Sequence, residues 1–144
     1  MTSIQQKAKD ILNALEFHDA ELSILIVDDP QITKLNKQYF HRSGPTNVIA
    51  FPMHTDDFPN ISPQLLGDVV ISIETAAKEG KSIGIGLEKR FIQLLVHGIL
   101  HLIGYDHEKS EAEAEKMEEK ENEILELIAS DKIEFLLKDH AQGG

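Results

Sequence analysis

Apolar residues near the start of the chain recur at helical spacing. Ile4, Ala8, Ile11, Leu12 and Leu15 share one face and predict an amphipathic helix over residues 3–17, closed by His18-Asp19. Residues 20–28, AELSILIVD, are short and aliphatic, which predicts a strand. Asp29-Pro30 reads as a helix start, with a capping side chain and proline at the first helical position, and that helix runs to about Tyr39. Ser43-Gly44-Pro45 forces a turn before a second strand at 46–52, TNVIAFP. Residues 53–63, with His54, Asp56 and Asp57, read as an exposed loop.

A third strand is predicted over 67–73, then a short helix at 74–79 ended by Gly80, and a link over 82–86. Residues 87–103 form a helix of another kind, apolar around most of its circumference. Only Arg90, Gln93, His97 and His101 break that surface, and they fall in one narrow stripe. Ser110 with Glu113 gives a capping-box signature for a last long helix, with Ala114, Met117, Ile124 and Ile128 as its apolar stripe. Residues 133–137 suggest a further turn and the AQGG end a frayed one. The expectation is a single α+β domain over 1–144, with a small mixed β-sheet packed against several helices.

The polar stripe changes the picture from packing to chemistry. His97, His101, Gly104 and His107 spell H-x-x-x-H-x-x-G-x-x-H. Residues four apart on a helix stand one turn above each other. Gly104 supplies a residue that readily takes positive φ and ends the helix, so His107 can return from the far side of the turn. Three imidazoles then converge, as a metal site requires. The alternative, that each histidine is a satisfied core residue, explains a lone His-x-x-x-His but not the third histidine after a correctly spaced glycine.

Composition narrows the metal and leaves the partner open. The chain has no cysteine, so thiolate ligands and disulfides are excluded and a transition metal must be held by histidine or carboxylate. No uncharged apolar run approaches the ~20 residues that span a bilayer, and the start MTSIQQKAKD lacks a signal peptide's apolar core, so a cytoplasmic address is expected. The net charge of −11 argues at first against nucleic acid, but it is unevenly placed. Glu108 to Glu126 holds nine glutamates against three lysines, whereas Pro30 to Ala50 holds Lys34, Lys37 and Arg42 and no acid.

The histidine spacing matches the metzincin protease motif H-E-x-x-H-x-x-G-x-x-H except that Gly98 stands where the glutamate base belongs. Glycine cannot carry a proton, so peptide hydrolysis is disfavoured. Gly98 can instead let a substrate or a strand approach the helix backbone.

The string HGILHLIGYDH at 97–107 closely resembles the signature of the YbeY family of bacterial endoribonucleases. The resemblance extends to LNKQY at 35–39, PTNVIAFP at 45–52, LGDVVIS at 66–72 and the Met117-Glu118 region. It implies a zincin-like core, one Zn2+ per chain on His97, His101 and His107, and action on single-stranded RNA. It also implies a role in ribosomal RNA maturation, chiefly at the small-subunit 3′ end, and in ribosome quality control. Two positions depart from the family pattern: Phe40 stands where an arginine is usual, and Ala50 where a serine is common.

Arg42 is the nearest replacement for that arginine and the candidate catalytic cation. Lys34, Lys37 and Arg90 are candidate RNA contacts, each weighed against an ordinary surface role. Asp106 and Asp68 are candidate acceptors for a ligand imidazole N–H, each weighed against turn or strand-edge duty. Three neutral histidines would leave zinc its full charge and an open position, and zinc-bound water has a pKa near ~7. The alternatives are another metal-dependent hydrolase, of amides or phosphoesters, and a non-catalytic ribosome-assembly factor with structural zinc. Structural zinc usually has four protein ligands and the motif supplies three, so the last is disfavoured, although His54 or Asp68 could complete a shell.

Overall fold

The computed structural model describes residues 3–53, 65–106 and 108–141, with side chains through Ala129. Its elements are α1 (Ser3–Ala14), β1 (Glu21–Val27), α2 (Asp29–Phe40), β2 (Val48–Pro52), β3 (Leu65–Ser72), α3 (Ile73–Ser82), α4 (Gly86–Leu102) and α5 (Glu111–Ala141). They fall into two compact units, Asp19–Asp106 and a second made of Met1–His18 with His107–Gly144. The α+β class and the mixed sheet follow the sequence expectation. Most of the loop expected over 53–63 lies outside the described residues.

In the first unit β3 is central, parallel to β1 and antiparallel to β2, in the order β1-β3-β2. Side chains alternate across a strand, so the two faces can be assigned from their packing. On one face Ile32 of α2, Ile49 and Val70 form a buried cluster with Val27, Leu35 and Phe51 around it. The opposite face presents Val48 and Val69, which meet α4 at Gly98. Nine residues of α4 are buried, as its near-continuous apolar surface requires.

Two local expectations are corrected. Asp28, not Asp29, caps α2: its side chain accepts from the Gln31 N–H while the Gln31 side chain accepts from the Asp28 N–H. Asp29 is instead the meeting point of two helix starts. It accepts from the Ser72 and Thr75 hydroxyls and pairs with Lys78 at 3.1 Å, while its own N–H donates to Glu74. These donors, Ser72 and Thr75 first, hold its carboxyl at about 2, below the ordinary 3.8. Gly80 does not end α3, which continues to Ser82. A Cβ at Gly80 would collide with the Gly86 carbonyl, so the glycine serves close approach rather than termination.

In the second unit α1 and α5 pack together. α1 stops at Ala14, short of the predicted residue 17, with Glu16 at a left-handed φ of 66°. Met117, Ile124 and Ile128 are buried as their spacing predicts, whereas Glu111, Glu115, Glu118, Glu119, Glu123 and Glu126 are exposed. The Ser110 side chain accepts from the Glu113 N–H at 3.1 Å. The turn expected over 133–137 is part of α5, which is one helix of 31 residues. Among the described residues no helix is long and apolar enough to cross a membrane.

A candidate metal site on helix α4

The end of α4 is set by its backbone. The Gly104 N–H bonds to the His101 carbonyl, the Tyr105 N–H bonds to the Leu100 carbonyl, and Gly104 has φ +110°. This is the Schellman pattern, with glycine at the left-handed position. The helix therefore stops at Leu102, one residue after His101 is in place.

Those two rings are half-buried on one face, with centroids 4.7 Å apart and planes at 77°. Their Nε2 atoms lie 3.1 Å apart. Two imidazole nitrogens at ordinary zinc distances in a tetrahedral site are separated by roughly 3.3 Å, so the pair fits a metal with little movement. His107, the third predicted ligand, lies outside the described residues. Among the described residues no third His, Asp or Glu completes a metal-binding group with the pair, so neither Asp68 nor Asp106 takes that place.

Asp68 follows the parity of Val70, whose side chain joins the α2 cluster. By strand alternation Asp68 faces α2, while α4 packs on the other face of the sheet. Asp106 is half-buried, two residues past Gly104. It remains the candidate for orienting an imidazole.

Gly98 faces the sheet. An added Cβ would stand 2.7 Å from Val69 Cγ1 and 3.3 Å from Val48 Cγ2. The second use foreseen for this glycine, close approach of a strand, is the one realised. A glutamate here would have to enter the sheet, so the position has no room for a general base. α4 also runs in the direction of β2. Gly98 lies against Val48, and Leu102 lies 3.0 Å from where a Gly67 Cβ would stand, Gly67 being the partner of Pro52. His101 thus stands level with the end of β2 that carries Phe51.

Arg90 occupies the histidine stripe but is already engaged. Its Nε donates to Glu79 at 3.0 Å and Nη1 to Gln93 at 2.8 Å, leaving further guanidinium N–H groups to offer. Glu79 also accepts from Asn47 Nδ2 at 3.3 and 3.4 Å, which ties the entry of β2 to α3 and α4. Sequence reasoning missed this link because its members are 11 and 32 residues apart.

The candidate cations Lys34, Lys37 and Arg42 are all exposed, on or just beyond α2. His41, at φ 55°, ends that helix in the left-handed region, and the Arg42 N–H returns to the Asn36 carbonyl at 3.3 Å. Phe40 is the last helical residue. Its ring lies 6.0 Å from that of Phe51, and Tyr39 meets Phe51 edge-on at 5.1 Å.

A family model described as Endoribonuclease YbeY matches residues 1–129 of the chain. The chain is 48% identical over 126 residues to Endoribonuclease YbeY of Geobacter sulfurreducens, covering 87% of this chain and 84% of the relative. It is 43% identical over 126 residues to Endoribonuclease YbeY of Aquifex aeolicus, covering 88% and 82%. The fold is similar to the solution structure of TM1509 from Thermotoga maritima, at a TM-score of 0.64 and 25% identity, covering 91% of this chain and 82% of that one.

Proposed function

The chain belongs to the Endoribonuclease YbeY family, and from that premise we propose that it is a zinc-dependent endoribonuclease acting on single-stranded RNA. Its substrate on this reading is ribosomal RNA, matured at the small-subunit 3′ end and checked in ribosome quality control, in the cytoplasm. The observation that carries the reading is the His97–His101 pair, with Nε2 atoms 3.1 Å apart on a helix that has no room for a protease base at Gly98.

His97, His101 and His107 are the proposed ligands of one Zn2+. When bound, the ion supplies Lewis acidity to a phosphoryl oxygen and acidifies water. The imidazoles, being neutral donors, leave its charge uncancelled. The chain's remaining task is to position the RNA and neutralise its phosphates. Arg42 is assigned the charge nearest the reacting phosphate, Lys34 and Lys37 the approaching backbone, and the unused N–H groups of Arg90 the strand further along the stripe. Asp106 is assigned to hold a ligand ring through its second nitrogen.

Elemental analysis and an RNA-cleavage assay on the purified protein and on His101→Ala test this. The parent should carry about one zinc per chain and cut single-stranded RNA internally; His101→Ala should lose both. A variant that kept full zinc occupancy would sink the ligand assignment.

A further inference from the structure

We infer that Tyr39, Phe40 and Phe51 form a stacking platform for an unpaired base of the RNA, with Lys34 and Lys37 beside it for the phosphates. The inference rests on the single-strand ribonuclease reading and adds where the strand is gripped. Tyr39 and Phe40 are 54% and 43% exposed, although both are large rings at the end of an ordered helix. Phe51, half-buried beneath them, contacts both, edge-on to Tyr39 and tilted at 34° to Phe40. Such contacts fix ring positions. The helix end therefore presents a supported aromatic surface rather than two loose side chains.

The surrounding charge selects the occupant. In a chain of net charge −11, residues 30–50 contain no acid and three cations, which outnumber the single carboxylate of Asp68, the register partner of Phe51 on the same sheet face. Aromatic rings interleaved with cations are the chemistry of single-strand binding: rings stack on exposed bases of any identity, and cations track the backbone. Paired bases are hidden inside a duplex, so a stacking platform discriminates for single strands without reading sequence. The platform lies on the face of the sheet opposite α4, at the end of β2 that is level with His101. A base held there anchors a strand passing the sheet edge toward the histidines. An apolar protein partner, or a second copy of the chain, would need hydrophobic area but no π face, and the cations would not help it.

The chain has no tryptophan, so Phe40→Trp keeps an aromatic ring and adds a single fluorescent reporter. Binding of a 2′-O-methyl single-stranded oligonucleotide of mixed sequence to zinc-loaded protein is measured for the parent, Phe40→Trp, Phe40→Ala and Phe40→Leu. Phe40→Trp should bind as the parent does, with its emission quenched by the stacked base. Phe40→Ala and Phe40→Leu should bind ~5- to ~100-fold more weakly, with zinc content unchanged and the helical circular dichroism of the parent retained. An abasic strand should bind parent and Phe40→Ala alike. Phe40→Ala binding as tightly as the parent would overturn the platform. So would Phe40→Leu retaining full affinity, or Phe40→Ala changing only self-association in sedimentation. A parent that neither binds nor cleaves single-stranded RNA defeats the ribonuclease reading, and the platform with it.

Discussion

Helices α4 and α2 flank the same sheet and direct their polar groups in opposite ways. On α4 the polar stripe is held by its own neighbours: Arg90 by Glu79 and Gln93, and His101 by His97. On α2 the first turn is locked through Asp29, but the last presents Lys37, Tyr39 and Phe40 to solvent. The contrast is between a preorganised centre and an adaptable rim. Groups that act on developing charge gain from being fixed before substrate arrives. Groups that capture a flexible strand gain from reach and exposed area.

The contrast is tested most strongly at Arg42, which sits on the rim but is assigned to the chemistry. Loss of a charge felt only in the transition state should slow single-turnover cleavage at saturating RNA by ~10²- to 10³-fold. Zinc content should stay intact. A variant as fast as the parent, but weaker in binding and with a salt dependence flatter by about one unit of slope, would place Arg42 among the backbone contacts.

The fixed centre is probed at Gly98. Gly98→Ala forces a methyl to 2.7 Å from Val69 Cγ1, and Val69 is fully buried, so the helix or the sheet must shift. Overpacking of this kind costs ~1–3 kcal/mol, and the ~1 kcal/mol that alanine gains in helix propensity offsets part of it. Urea unfolding should show a net loss of stability. A gain would mean that the helix can rise from the sheet without cost.

The smallest effect is expected at the locked end of α2. Because Asp29 is held at about 2 against an ordinary 3.8, its contribution to stability is present above the ordinary value and lost as pH falls towards 2. Asp29→Asn should therefore lower stability at neutral pH and flatten the acid limb of the stability curve in that window. Urea midpoints measured from pH 5 down to ~2 decide it. A variant with an acid limb as steep as the parent's would remove Asp29 from the account.

Much of this architecture was legible where a pattern is local. The α4 period, the Gly104 stop and the buried stripe at Met117, Ile124 and Ile128 all depend on residues within a few turns of each other. The failures are mostly non-local. Of the adjacent aspartates at 28 and 29, Gln31 three residues on marks Asp28 as the cap, but what Asp29 does instead is set by Ser72 and Thr75, 43 and 46 residues away. Asp68 could be assigned to a face only once the packing of Val70 was known. Gly80 looks like a helix stop until Gly86 is found against it. Phe40 read as a missing arginine, and its contact with Phe51 is invisible without the register of α2 on the sheet.

Gly98 carries a consequence for how variants of this protein are interpreted. The glycine sets the depth at which α4 rests on the sheet, and a rigid helix moves as one body. A small lift at residue 98 raises His97 and His101 with it, and a displacement of about 1 Å at a reacting centre can cost ~10²-fold in rate. Screened by activity alone, position 98 would therefore score as catalytic, although it contributes no atom to the reaction. Structure at the histidine pair separates the two: a true catalytic loss leaves the rings where they were, whereas a change of depth carries them off together.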